Sequence, residues 1–167
     1  AMVDELLDLH RIETRAGIGF EKHNYLLTDL IHEVLAEFAI PKGRQAISLS
    51  LPPELKNIEL YVDKVKFKQV ISYIIDNAYK YSSNEDSVSL YTSFNTANNA
   101  LDIEISDEGI GVAETDIPLI FERFYRVDKS GNIPGMGLGL TIAKEIMMFL
   151  NGEIHFNSVP NQGSQVV

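Results

Sequence analysis

The sequence predicts a two-layer α+β sandwich, in which a mixed, mostly antiparallel sheet carries its helices on one face. Segments with the alternating pattern of β-strands come mostly as adjacent pairs, and amphipathic helices separate the pairs. Serines at alternate strand positions leave the opposite face of the sheet open to solvent. A chain of 167 residues, 45% of them hydrophobic, can form one domain whose core needs no disulfide.

The spacing of apolar residues and the end signals predict three long helices. Thr28 is expected to cap the first through its hydroxyl, and Asp63 to open the second. The expected helices cover about residues 28–40, 63–81 and 139–150, with a shorter helix over 117–124. The expected strands cover about residues 47–51, 58–62, 88–90, 101–105, 154–156 and 164–167, and residues 96–99 form a hairpin turn.

Charge and composition exclude several classes of function. The formal net charge is −10, and residues 81–122 hold no Lys or Arg, so we expect no nucleic-acid partner and any bound anion must be held locally. The chain has no cysteine, which excludes disulfides, thiol catalysis and cysteine-ligated zinc. Its longest apolar run, residues 146–150, is far shorter than a membrane span.

Asn77 carries the first candidate site, because Tyr73, Lys80 and Tyr81 adjoin it on one surface of the second helix. An asparagine oxygen can ligate Mg²⁺, a lysine one turn away can meet phosphate, and an aromatic ring can cover a purine. The same residues also fit the solvated rim of an ordinary amphipathic helix, and the spacing alone favours that interpretation.

Residues 107–111 (DEGIG) form the second candidate, directly after a predicted strand. A carboxylate at a strand end can accept a hydrogen bond from an adenine amino group, and glycines let the backbone approach the ring. A surface turn explains this short pattern equally well.

Residues 135–140 (GMGLGL) are the strongest single signal, because three alternate glycines lead straight into a helix. Such a segment exposes backbone N–H groups at the positive end of the helix, where phosphates bind. It has neither the preceding strand of the dinucleotide fingerprint nor the Gly-Lys-Ser/Thr of a Walker loop. A flexible hinge is the alternative.

Residues 121–126 (FERFYR) are expected to place Arg123 and Arg126 on one helical side and to turn Phe121 and Phe124 together toward packing. The loop over residues 127–134 is then expected to act as a lid that carries Lys129 over a polyphosphate. An ordinary amphipathic turn is the alternative, and the segment taken alone favours it.

The order of these motifs resembles that in the catalytic and ATP-binding domain of bacterial sensor histidine kinases. That domain belongs to the ATPase superfamily shared with type II topoisomerases, mismatch-repair ATPases and a heat-shock chaperone. The N box matches residues 76–81, the G1 box 107–111, the F box 121–126, the G2 box 135–140 and a G3-like turn residues 163–164. The resemblance covers about residues 24–167 and implies an α+β sandwich with an ATP lid, which transfers the γ-phosphoryl group of ATP to a histidine.

The resemblance implies a role for each matching residue. Asn77 would ligate Mg²⁺, Asp107 would accept a hydrogen bond from the adenine amino group, and Tyr81 would flank the ring. Lys80 would touch the phosphates, and Arg126 would act at the γ-phosphate or at the transfer interface, so these two are the expected catalytic side chains. The other expected nucleotide contacts are Gly109, Ile110, Gly111, Gly135, Gly137, Leu138 and Gly139.

Two departures from the family pattern bear on the reaction. Tyr73 stands where related kinases commonly carry Asn and hydrolytic relatives carry a Glu base, which favours a kinase over an ATPase. The phosphoacceptor box is absent, because His32-Glu33 is followed by residues 34–36 (VLA). His10, His23 and His155 match that box no better, so the chain is not expected to phosphorylate itself.

The resemblance also implies how the chain is organised. Residues 1–23 are expected to be the remnant of a dimerisation helix and its linker, before a catalytic domain over residues 24–167 whose last strand is clipped. The expected partners are the histidine-bearing dimerisation domain and a cognate response regulator. The fragment is expected to be a monomer, and the full-length protein a homodimer with this domain in the cytoplasm and an anchor in the inner membrane. A hydrolytic relative and a degenerate, non-catalytic docking module remain as alternatives.

Overall fold

The computed structural model describes residues 6–7, 10, 19–128, 130 and 133–167, and its helices lie between single strands or pairs of strands. The strands are β1 (Lys22–Leu26), β2 (Ser48–Ser50), β3 (Glu59–Asp63), β4 (Val88–Asn95), β5 (Ala100–Asp107), β6 (Phe156–Val159) and β7 (Gly163–Val166). The α-helices are α1 (Leu27–Glu37), α2 (Lys64–Lys80) and α3 (Gly139–Phe149). Two short 3₁₀ helices cover Pro53–Leu55 and Ile117–Leu119.

The main sheet has five strands in the order β2-β4-β5-β7-β6. Only β2 and β4 run parallel, and every other neighbouring pair in this sheet is antiparallel. A second sheet pairs β1 with β3, also antiparallel. The expected mixed, mostly antiparallel arrangement is therefore confirmed.

The core lies between the sheet and the three helices. Leu90 and Ile105, opposite each other on β4 and β5, are almost completely buried, and the helices contribute the rest of this layer. The fully buried helical side chains include Leu27 and Ile31 of α1, Ile75 of α2, and Ile142 and Ile146 of α3. Burying apolar surface in this way is the main driving force for the fold.

The structure confirms the expected cap of α2 but not that of α1. The Oδ1 atom of Asp63 accepts a hydrogen bond from the Lys66 N–H at 3.0 Å. Helix α1 begins at Leu27, one residue before the expected cap Thr28, because β1 runs directly into it without a side-chain cap. The unpredicted strand β1 accounts for this difference.

Three other expectations about local structure are wrong. The helix expected over residues 117–124 is limited to the 3₁₀ turn Ile117–Leu119. Strands β2 and β3 do not pair with each other, since β2 joins β4 and β3 joins β1. The penultimate strand begins at Phe156 rather than at residue 154.

The expected dimerisation-helix remnant lies mostly outside the described residues. Strand β1 starts at Lys22, so the predicted boundary between residues 23 and 24 falls within one strand. In the part of the chain that the structure describes, none of the helices has both the length and the apolar character needed to cross a membrane.

Candidate functional site

One cavity lies between the second half of α2, the ends of β5 and β7, and the loops that precede α3. It contains about 1040 Å³ of space, including its mouth, which is open to solvent. The expected site residues that line it are Asn77, Lys80, Tyr81, Asp107, Gly111, Arg126, Gly135, Gly137, Leu138 and Gly139.

Helix α2 supplies the polar wall of the cavity. The Nζ atom of Lys80 lies 2.5 Å from Oδ2 of Asp76, one turn earlier on the helix. A Cβ atom added to Gly135 would lie 3.7 Å from the same Nζ atom, so Lys80 also reaches the start of the glycine-rich loop. Asn77 lines the cavity from the same helix. A side-chain amide and an ammonium group therefore line one space, which are groups that a Mg²⁺-polyphosphate can use.

Tyr81 follows the last turn of α2 and lines the cavity. Burial raises the pKa of the Tyr81 phenol, while the nearby positive charges of Arg126 and Lys80 oppose this effect. A neutral, partly enclosed aromatic ring beside two cations suits a purine with a phosphate tail.

Asp107 ends β5 and is partly buried beside the cavity. Its Oδ1 atom accepts a hydrogen bond from the Gly109 N–H at 2.9 Å. Burial raises the pKa of the Asp107 carboxyl, and backbone N–H groups of Gly109 and Ser164 only oppose this effect. A desolvated carboxylate with acceptor capacity left is suited to a ligand that brings a further donor.

Gly109 and Ile110 do not line the cavity, although both were expected nucleotide contacts. A Cβ atom at Gly109 would lie 2.2 Å from the Tyr81 carbonyl oxygen, so only glycine allows this close approach. The Ile110 N–H donates to the same oxygen at 3.0 Å, and the Ile110 side chain is exposed. The two residues therefore fasten the loop after β5 to the end of α2.

The glycine-rich loop forms the wall opposite α2. Gly137 has a φ of 71°, and a Cβ atom there would lie 2.4 Å from the Tyr125 carbonyl oxygen. Leu138 also lines the cavity, and its side chain packs in the core. Helix α3 begins at Gly139 without a side-chain cap, so its first N–H groups are available to an anion.

The segment over residues 121–126 reaches the cavity without forming the expected helix. Phe124 has a φ of 64°, its N–H donates to the Gly137 carbonyl at 3.0 Å, and 57% of the residue is exposed. The expectation that Phe124 packs together with Phe121 is therefore wrong. Arg126 lines the cavity and Arg123 does not. The expected lid residue Lys129 lies outside the described residues.

Tyr73, at the position where the family resemblance implies Asn or Glu, lines the cavity. Its ring lies against the start of α3, since a Cβ atom on Gly139 would be 3.4 Å from Tyr73 Cδ1. Gln69 Nε2 donates to the Tyr73 hydroxyl at 3.2 Å. Among the described residues, no three acidic or histidine side chains form a group that could hold a metal ion. A Mg²⁺ ion beside Asn77 would thus need phosphate and water oxygens for its other ligands.

Several apolar residues of the cavity were not recognised from the sequence. Ile74 and Ala78 lie within one turn of Asn77 on α2, and Val112 directly follows residues 107–111, so local spacing could have found these three. Phe156 and Val166 had no such signal, because only the pairing of β6 with β7 brings them together. The remaining unassigned lining residues include Ile105, Ile120, Tyr125, Met136 and Ser164.

Comparisons with known proteins place these features in a family. The family model described as histidine kinase-, DNA gyrase B-, and HSP90-like ATPase matches residues 62–167. The sensor protein kinase WalK of Staphylococcus haemolyticus is 43% identical over 167 residues, 99% of this chain and 27% of the relative. The sensor histidine kinase WalK of Bacillus subtilis is 30% identical over the same shares of the two chains.

A solved structure shows the same fold at lower identity. Full-length ShkA in complex with AMPPNP superposes with a TM-score of 0.78 and 22% sequence identity, covering 99% of this chain and 34% of that one. The chain spans about a quarter, 27%, of the length of the two WalK relatives.

Proposed function

The chain belongs to the family of histidine kinase-, DNA gyrase B- and HSP90-like ATPases, as the ATP-binding catalytic domain of a sensor histidine kinase, and on that premise we propose its reaction. It transfers the γ-phosphoryl group of Mg-ATP to a histidine on a separate dimerisation domain, from which a response regulator receives it. The observation that carries this proposal is that Asn77, Asp107 and Gly137, from three distant segments, line one cavity.

The adenine end of the nucleotide is held at β5 and the end of α2. Asp107 accepts a hydrogen bond from the adenine amino group, and the Tyr81 ring flanks the base. Gly111 and the apolar lining residues Ile105 and Val112 complete this end. Binding a donor at Asp107 offsets the cost of burying its carboxylate, which gives the site its preference for adenine.

The phosphate end is held by side chains of α2 and by the start of α3. Lys80 and the main chain at Gly135, Gly137, Leu138 and Gly139 meet the phosphates, and Arg126 acts at the terminal phosphate. Asn77 supplies the protein ligand of Mg²⁺, which neutralises part of the polyphosphate charge when bound. Phosphoryl transfer relies mainly on such positioning and charge compensation.

Tyr73 favours transfer to a protein over transfer to water. A phenol whose hydroxyl accepts a hydrogen bond from Gln69 is a poor base for activating a water molecule. The isolated chain is therefore proposed to hydrolyse ATP very slowly. Tyr73 also favours the second candidate function, a non-catalytic docking module. It stands where the family resemblance implies an Asn or Glu side chain that could contact Mg²⁺ or the phosphates.

The proposal extends to the organisation of the whole protein. Residues 1–23 belong to the dimerisation helix and its linker, and residues 24–167 form the catalytic domain. The full-length protein is a homodimer, with this domain in the cytoplasm and an anchor in the inner membrane supplied by other segments. The chain by itself is a monomer.

The deciding experiment supplies the histidine in trans. The chain is incubated with [γ-³²P]ATP, Mg²⁺ and the separate histidine-bearing domain of the same protein, and label on that domain is measured. We expect labelling of its histidine, little free phosphate, and an ATP-dependent rise in melting temperature. Binding without labelling would support the docking module, and rapid phosphate release would support a hydrolytic enzyme.

A further inference from the structure

A network of hydrogen bonds surrounds the Asp128 carboxylate, just after the segment that reaches the cavity. Its Oδ1 atom accepts from the Ser130 N–H at 2.9 Å and from the Ser130 hydroxyl. Its Oδ2 atom accepts from the Ile133 N–H at 2.8 Å and lies 3.7 Å from Nη2 of Arg126. The Asp128 side chain is only 12% exposed, so its own loop satisfies it almost completely.

Arg126 is held by the same loop through one corner of its guanidinium. Nη2 donates to the Ile133 carbonyl oxygen and is also the atom nearest Asp128. The guanidinium lies beside the Tyr81 phenol as well, and both residues line the cavity. A guanidinium has five N–H donors in a rigid fork, so anchoring Nη2 leaves donors that can face an anion.

We infer that Asp128 is a positioning residue, which holds Arg126 so that its remaining donors meet the terminal phosphate of a nucleoside triphosphate. The inference rests on the proposed function and adds a residue to it. Fixing a long side chain before the ligand arrives removes part of the entropy cost of binding. The contact between Asp128 and Arg126 affects binding of the third phosphate more than binding of the nucleoside diphosphate portion, because Arg126 is proposed to act at the third phosphate.

The test compares two nucleotides that differ by one phosphate. Dissociation constants for Mg-AMPPNP and Mg-ADP are measured by titration calorimetry on the 167-residue chain and on Asp128→Asn. We expect the variant to weaken AMPPNP binding by about 10-fold and ADP binding by less than about 2-fold, in line with one weakened charge-assisted contact. The matched control is Glu114→Gln, which removes the same charge from an exposed position in the adjoining segment and leaves both constants unchanged.

A double-mutant cycle separates positioning from a general structural effect. In an Arg126→Gln background, Asp128→Asn is expected to add no further loss of AMPPNP affinity, since the group that it positions is gone. Additive losses, equal weakening of both nucleotides, or no change on Asp128→Asn would each overturn the inference.

One further variant keeps the test decisive. If Asp128→Asn does not fold, Ser130→Ala removes one donor and keeps the charge, and it is expected to lower AMPPNP affinity selectively but by less. A Ser130→Ala chain that binds both nucleotides as the wild type does would then count against the inference. If the wild-type chain binds neither nucleotide, the proposed function fails and the inference with it. If it binds both and Asp128→Asn is indistinguishable, only the inference fails.

Discussion

Asp107, at the end of β5, and Asp128, in the loop after Arg126, are both partly buried carboxylates, yet their pKa values move in opposite directions. Burial raises the pKa of Asp107, and the backbone N–H groups around it do not offset that effect. The Ser130 hydroxyl and the Ile133 N–H lower the pKa of Asp128 to about 2. The two groups differ in how far the protein itself satisfies the charge.

This difference distinguishes Asp107, which is proposed to bind a ligand, from Asp128, whose hydrogen bonds are made within its own loop. Asp128 has its acceptor capacity met by its own loop, so a ligand gains nothing by approaching it. Asp107 is desolvated with capacity to spare, and a nucleotide amino group can supply the missing donor. Asp107 is therefore expected to govern binding of the base, and the loop around Asp128 is expected to act on the terminal phosphate through Arg126.

The largest expected effect comes from removing the Asp107 carboxylate. Asp107→Ala is expected to raise the dissociation constant of Mg-ATP by about 100-fold or more, because a charged hydrogen-bond partner of the base is lost. The ATP-dependent rise in melting temperature should then disappear at concentrations that saturate the wild type. The measurement is a thermal-shift titration with Mg-ATP.

Asp102→Ala is the matched control, since Asp102 lies on the same strand, outside the cavity lining, and accepts from Asn95. It should keep the full nucleotide-dependent shift. An Asp107→Ala chain that keeps the nucleotide-dependent shift would contradict the proposal that Asp107 binds the base.

The second expected effect concerns the backbone of the glycine-rich loop, at Gly137. Gly137→Ala should lower the free energy of unfolding by at least about 2 kcal/mol, because it adds a Cβ atom at positive φ directly against main-chain atoms. That Cβ would lie 2.4 Å from the Tyr125 carbonyl oxygen, at a φ of 71°. Urea unfolding followed by circular dichroism measures the change.

Gly43→Ala measures the cost of a side chain at positive φ without the cost of a close contact. Gly43 has a φ of 84°, but nothing lies within 4 Å of the position of its added Cβ. Its cost should be about 1 kcal/mol, from the backbone conformation alone. Equal losses in the two variants would show that the close approach at Gly137 does not shape the loop.

A third, smaller effect uses the same substitution at two buried threonines. Thr141 on α3 donates from Oγ1 to the Phe121 carbonyl at 2.9 Å, which links the segment over residues 121–126 to the helix. Thr141→Val should lower the free energy of unfolding by about 1–2 kcal/mol, because it leaves that carbonyl without its partner.

Thr92→Val is expected to have the opposite sign. The Thr92 residue is fully buried, and its Oγ1 atom has no hydrogen-bond partner in the described part of the chain. Replacing the hydroxyl by a methyl group should raise the free energy of unfolding by up to about 1 kcal/mol. Urea unfolding of both variants checks the pair, and a change of the same sign in both would contradict the expectation.

The smallest effect is a difference in pH dependence between the two aspartates. The folded-state pKa of Asp128, about 2, lies below its ordinary value of 3.8, so its contribution to stability is present above pH 3.8 and lost as pH falls toward 2. The pKa of Asp107 is raised above 3.8, so its contribution is present below 3.8 and lost as pH rises through the folded-state pKa.

Unfolding free energies measured between pH 3 and pH 6 should therefore diverge in opposite directions. The stability deficit of Asp128→Asn should shrink as pH falls, and Asp107→Asn should gain on the wild type as pH rises. Glu114→Gln serves as the reference for loss of one exposed acidic group. Parallel curves for both aspartate variants would show that neither carboxyl has a shifted pKa.

Local patterns were sufficient where the relevant residues lie within a few positions of each other. Helix α2 follows from its apolar spacing and its Asp63 cap, so the cluster of Asn77, Lys80 and Tyr81 could be predicted. Strand β1 could not be predicted, because its mostly polar residues have no strand pattern of their own and form a strand by pairing with β3. The helix expected over residues 117–124 fails for a similar reason, since Phe124 bonds to Gly137 instead of continuing a helix.

The sequence by itself determined the fold class, the kinds of group available to a nucleotide and the order of the motifs, because these depend on short-range spacing and side-chain chemistry. Tertiary structure decided which glycines face the cavity and which fasten its walls, as Gly109 does at the Tyr81 carbonyl. It also decided that Asp128 is satisfied by its loop while Asp107 is not. The physical reason is that close approach and desolvation arise only when segments distant along the chain pack together.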